Sequence, residues 1–231
     1  MDPIDRSIYG RIVLLHNRSR ARSRSNRAMP RHNGFFEQTD IVNAFEQRHR
    51  NGEAGALLMW SLASVDALWY LDDIDLALEG GTPPAGGHPR DVVDIAHARW
   101  ATGTCITCLD LCAAALGRVY CKAKENNHEL DLANLDPSRT KNPNNVAKLR
   151  SAIRPAALQW VDGVLNDAKY SRISECRRAL THARLPRNIF LHRRIELKLN
   201  TGKASIRSIV QDARDVATNH VGALLNVLPA L

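Results

Sequence analysis

Apolar residues recur at the helical period along four long stretches of this chain, and that spacing restricts the fold more than any other feature. From Glu53 to Glu79, Leu58, Leu62, Val65 and Trp69 fall three or four apart, which keeps one helix face apolar until Gly80 and Gly81 stop it. The linker T-P-P-A-G-G-H-P, Thr82 to Pro89, leads to a second helix capped by Asp91 and running to about Cys121, with Ile95, Trp100, Leu109 and Leu116 on one face. Pro155 suits the first turn of a third helix reaching to about His182, which turns Leu158, Val161, Leu165, Ala168, Ile173, Cys176 and Leu180 inward. Ser208 with Gln211 forms a capping box for a fourth, Ile209 to Leu228, striped by Val210, Ala213, Val216, Val221, Leu224 and Leu225. The expectation is an all-α fold, a four-helix up-and-down bundle.

Shorter pieces fill the gaps. Amphipathic segments at Asp40–Gln47 and Val146–Ile153 read as accessory helices, and the alternation I-E-L-K-L from Ile195, followed by N-T-G-K, reads as a small hairpin turning near Gly202 before the last helix. Residues 122–145 carry N-N-H-E, L-D-P-S-R and N-P-N-N turn chemistry and read as a polar surface insertion. The organisation expected is an Arg-rich disordered tail over 1–34 and a bundle over 35–231.

Charge is uneven along the chain. Net charge is +8, but residues 1–34 hold eight Arg against Asp2 and Asp5, so +6 sits in the tail and the body is nearly neutral. Such a tail either holds RNA by charge alone, in a salt-sensitive way, or is a passive extension, including one produced by a start codon upstream of Met29. An apolar content of 44% supplies a full core. The sequence reading finds no run of about 18 apolar residues for a bilayer and no signal-peptide core, and five Cys, an odd number, are no disulfide framework. A cytoplasmic protein without a membrane partner is expected.

Two clusters invite a metal, and simpler readings are preferred for both. Asp72, Asp73 and Asp75 point in different directions from one helix and read as a solvated face. Cys105, Cys108 and Cys112 share a face among Ala, Ile and Leu without an evident fourth ligand, and read as small core fillers. The chain shows no G-x-G-x-x-G, P-loop or H-E-x-x-H. No metal or cofactor is required by this reading.

What remains is a pairing of Arg with His. Arg clamps phosphate through parallel donors and His moves protons near neutral pH, which together suffice to cleave a phosphodiester without a metal. An Arg followed five to seven positions later by His occurs at Arg11/His16, Arg27/His32, Arg90/His97, Arg177/His182, Arg187/His192 and Arg214/His220. The stretch R-R-A-L-T-H from Arg177 and R-N-I-F-L-H from Arg187 resemble the R-x4-6-H signature of the HEPN superfamily, helical-bundle domains that include metal-independent ribonucleases of toxin and anti-phage systems. In that family the signature lies late in the bundle, near the end of the third main helix, which these two registers satisfy. The resemblance implies catalytic roles for Arg177 and His182 or for Arg187 and His192, with Arg178, Arg184, Arg193 and Arg194 holding RNA. It implies a homodimer whose motif segments meet across a two-fold axis, and an antitoxin or nucleotidyltransferase partner. A non-catalytic RNA- or nucleotide-binding module is the alternative, and the Arg residues also suit a helix C-terminus simply by neutralising its dipole.

Overall fold

The computed structural model describes residues 33–79, 88–120, 131–138, 143–181, 196–200 and 202–231. In chain order these form α1 (Asn33–His49), α2 (Gly52–Glu79), α3 (His88–Tyr120), α4 (Leu132–Leu135), α5 (Pro143–Ala152), α6 (Pro155–Leu165) and α7 (Ala168–Thr181). The strands β1 (Glu196–Leu199) and β2 (Gly202–Ser205) then precede α8 (Ile206–Val227) and a closing 3₁₀ turn, Leu228–Ala230. Among the described residues the fold is all-α apart from that one antiparallel hairpin.

Local chemistry explains where the helices begin and end. Arg50 takes up a left-handed φ of 48° and terminates α1, after which Asn51 accepts the Ala54 N–H through Oδ1 at 3.1 Å to cap α2. The hairpin register pairs Glu196 with Ser205 and Leu199 with Gly202, whose φ of 116° suits a residue without a Cβ. α8 starts three residues before the expected box: Ser205, still extended, accepts the Ser208 N–H at 3.1 Å, because β2 runs straight into the helix there. α1 likewise begins at Asn33, ahead of the expected Asp40, and α3 begins at His88, ahead of Asp91.

Two expectations are corrected by capping and docking. The third long helix is two, broken at Asn166 and Asp167, where the Asp167 carboxylate accepts the N–H groups of Lys169 (2.7 Å) and Tyr170 (3.4 Å) and starts α7 afresh. Ala168, expected in the core, is consequently exposed. The polar insertion is not all surface: Leu132 and Leu135 are fully buried, the Leu132 N–H donates to Asp110 Oδ1 at 3.0 Å, and Arg150 donates to the Leu135 carbonyl at 3.0 Å.

Side-chain contacts fix how the helices run. Arg118 pairs with Glu53 at 3.4 Å and Cys108 donates to the Ser61 carbonyl at 3.3 Å, so α2 and α3 are antiparallel. Trp69 donates to Thr218 Oγ1 at 3.1 Å while Asp72 meets Arg214 and Arg207, so α2 and α8 are antiparallel too. The main core gathers Phe45, Leu58, Leu109, Val161 and Leu224 with their neighbours. Each such side chain contributes about 1.5–3 kcal/mol by leaving water. A second, smaller core joins Ala98 of α3, Cys176 and Leu180 of α7, Leu197, Leu199 and Ala204 of the hairpin, and Ile206 and Ile209 of α8.

Cys105, Cys108 and Cys112 lie fully buried in the main core, as the core-filler reading expects. Trp100 departs from its expected place beside them and is 62% exposed. The stretch Ile95–Tyr120 also corrects the sequence reading: by length and composition it suits a membrane-crossing helix, yet 61% of its apolar window is buried inside the fold, as in a core helix.

Candidate functional site

The last turn of α7 is held from one side. Cys176 and Leu180 are buried in the second core, which leaves Arg177, Arg178 and Thr181 exposed on the remaining surface. The hairpin returns the chain to the same helix: the Asn200 N–H donates to Glu175 Oε1 at 2.5 Å, and Leu197 packs in the core that holds Leu180. The described chain thus ends at Thr181 of α7 and resumes at Glu196 beside the same helix. Of the candidate residues, Arg177 and Arg178 are brought together here; His182, Arg184, Arg187, His192, Arg193 and Arg194 lie outside the described residues.

The other Arg/His pairs do not form sites where they can be followed. Arg214 and His220 of α8 face different neighbours: Arg214 pairs with Asp72 and Asp215 and lies 4.4 Å over the Trp69 ring, while His220 Nε2 meets Asp167 at 2.8 Å. His97 is buried. Arg11/His16 and Arg27/His32 lie outside the described residues.

A charged network was missed by sequence reasoning. Asp72, read as part of a solvated face, is buried with a side chain only 2% exposed, and its carboxylate forms ion pairs with Arg207 at 2.7 Å and with Arg214. Arg214 continues to Asp215 (2.6 Å), Lys169 links Asp215 (3.6 Å) with Asp212 (3.3 Å), and Arg172 closes on Asp212. The pairs tie α2, α7 and α8 together with each carboxylate held by a cation, an arrangement suited to fixing helices and not to moving protons. The signal was present in the register: Asp72 follows Leu62, Val65 and Trp69 at helical spacing, and Arg207 and Arg214 stand seven apart.

Titration preferences point the same way. Burial raises the pKa of Asp167, but the hydrogen bonds from His220 and from the Lys169 and Tyr170 amides outweigh it and hold the carboxyl below its usual value. Burial pushes the Cys112 thiol up to about 12 and also raises the Cys105 and Cys108 thiols, so none is a thiolate nucleophile. Burial, then Arg154 and Arg48, lower the pKa of His49 beside Phe45 and Tyr120, which favours its neutral form. Among the described residues no three of His, Cys, Asp and Glu stand together as metal ligands. No family model, no curated protein and no solved structure matches the chain.

Proposed function

We propose that the chain is a HEPN-like, metal-independent endoribonuclease built on a four-helix up-and-down bundle, with α2, α3, the broken pair α6 and α7, and α8 as its members. The observation that carries this reading is the pair of exposed cations, Arg177 and Arg178, at the end of α7, followed in sequence by His182 four residues after Arg178. Arg177 would stabilise the charge that builds on the phosphorane while His182 takes the proton of an RNA 2′-hydroxyl or gives one to the leaving 5′ oxygen. The 2′ oxygen bonds to phosphorus as the 5′ P–O bond breaks, leaving a cyclic phosphate, and DNA is excluded for lack of the nucleophile. Arg187 and His192 form the competing register, and Arg178, Arg184, Arg193 and Arg194 hold neighbouring phosphates. RNA incubated in EDTA tests the reading: His182→Ala should lower cleavage on the order of 100-fold or more with helix content unchanged. If His192→Ala alone abolishes cleavage, the second register is the active one.

A non-catalytic module that binds RNA or a nucleotide, working with an antitoxin or nucleotidyltransferase partner, is the second reading. It is favoured by Arg178 standing where the family commonly places Asn. RNA that binds to wild type without being cleaved, under every condition tested, would leave this reading in place of the first.

A further inference from the structure

At the close of α8 the segment Leu228–Leu231 packs against α1 as a short strap, with Leu228 and Leu231 buried in the main core. Its main-chain oxygens are held by side chains from three other elements. Arg48 of α1 donates to the Pro229 carbonyl at 2.6 Å, Arg154 at the start of α6 donates to the Leu231 carbonyl at 2.6 Å, and Tyr120 of α3 donates to the same oxygen at 3.4 Å. His49 stands among these groups. Its ring centroid lies 4.5 Å from that of Phe45 and 6.0 Å from that of Tyr120, and the Arg154 guanidinium sits 5.6 Å from the Tyr120 centroid.

The surroundings of His49 have no place for a third positive charge. Its Nε2 is fully buried and meets no hydrogen-bond partner, so a proton added there would lack an acceptor. Arg48 on its own helix and Arg154 at the start of α6 both oppose a charge on the ring, and Tyr120 faces it from α3 as a neutral phenol. The strap offers only the Leu231 oxygen, which Arg154 and Tyr120 already share. The carboxylates closest in sequence are engaged elsewhere: Glu46 lies against Gly55 of α2, and Glu53 pairs with Arg118. We propose that His49 is a proton-operated release for the strap: mild acid charges the imidazole and frees Leu228–Leu231 from α1, α3 and the start of α6, uncovering the apolar floor beneath Leu228 and Leu231.

The direction of the response follows from where the proton binds better. Burial first, then Arg154 and Arg48, hold the closed-state imidazole below its ordinary 6.5, with the Leu231 oxygen acting against them. Once the strap opens, the ring meets water and returns toward 6.5. The open form therefore takes the proton more readily. Above 6.5 the closed form keeps its whole advantage; below it the opening equilibrium rises up to tenfold for each pH unit, until the closed-state value is reached. This device is remote from the proposed RNA site and does not rest on it. Ala98 of α3 packs beside the end of α7, and Tyr120 stands roughly 33 Å further along the same helix.

Hydrogen exchange of the full chain tests this, read by mass spectrometry and corrected for the intrinsic pH dependence of exchange. The Leu231 amide, which donates to the Leu228 carbonyl at 3.1 Å, reports the closed turn. Protection of peptides covering Leu228–Leu231 should fall by up to tenfold per pH unit below 6.5, while peptides around Cys108 in the middle of α3 stay protected. His49→Phe keeps a ring between Phe45 and Tyr120 that cannot be charged, and should hold the strap closed across the same range. Should that variant fail to fold, an NMR titration of the wild-type imidazoles serves instead: His49 must titrate below 6.5. Strap protection independent of pH, a fall shared equally by α3, the same fall in His49→Phe, or titration of His49 at or above 6.5 would each overturn the proposal.

Discussion

Asp72→Ala removes the anion that holds two arginines between α2 and α8. In the native protein the carboxylate is 2% exposed and pairs with Arg207 and Arg214, whose side chains are 15% and 18% exposed. Taking away one partner of a buried pair costs about 3–5 kcal/mol, because the cations left behind have given up water without compensation. Here the low end applies, since Arg214 keeps Asp215 at 2.6 Å and stacks on Trp69, and both guanidiniums retain some solvent. A loss of about 3 kcal/mol corresponds to a fall in Tm of roughly 6–12 °C for a chain of this length. Urea unfolding followed by far-UV circular dichroism measures it, with the denaturant slope unchanged so that the midpoint reports stability alone. Asp72→Asn, which keeps an acceptor, should cost less than the Ala variant. A cost of about 0.5 kcal/mol or less, the size typical of a solvated surface position, would show that Asp72 is not the buried hub described above.

Three further outcomes follow from the same contacts. The folded-state pKa of Asp167 is depressed, so its stabilising effect is present above the unfolded value near 3.8 and lost as pH falls through the lower folded value; the gap in urea midpoint between wild type and Asp167→Ala should close in that acidic window, and a gap constant into strong acid would refute the pairing. Alkylation at neutral pH followed by mass spectrometry should leave Cys105, Cys108 and Cys112 unmodified in the folded protein and modified after unfolding; rapid native labelling of any of them would contradict their burial. Ser205→Ala should cost about 1 kcal/mol as the loss of a helix cap, while Gln211→Ala stays within about 0.5 kcal/mol, and the reverse order would restore the Ser208 box.

The long helices were legible because burial writes itself into a period. Val210, Ala213, Val216, Val221, Leu224 and Leu225 are all buried as their spacing predicts, and Cys176 and Leu180 turn inward at the end of α7, which is why the exposure of Arg177 and Arg178 could be read in advance. Hidden features depended on partners remote in sequence. Asp72 occupies a core register, but a charged letter there is decided by Arg207 and Arg214 more than 130 positions later. Leu132 and Leu135 are too short a piece to show a period, and their docking depends on Asp110 and Arg150. At the α6–α7 break the apolar spacing continues from Leu165 to Ala168, so only the capping chemistry of Asp167 marks it. Most of the candidate site, from His182 to Arg194, lies outside the described residues, and its sequence pattern stands there by itself.

The position of α8 in the chain has a consequence for synthesis. Its buried face, Val210 to Leu225, closes the core over α2 and α3, and Trp69 waits for Thr218 across 149 positions. A ribosome adding ~5–20 residues per second completes α3 roughly 5–20 s before α8 is available to cover it. Through that interval the parts of α2 and α3 that α8 will cover, including the helix long and apolar enough to cross a bilayer by composition, have only each other and α1 for shelter. The nascent protein is thus exposed to wrong partners for seconds, and a holding chaperone or a second nascent copy is best placed to fill the gap.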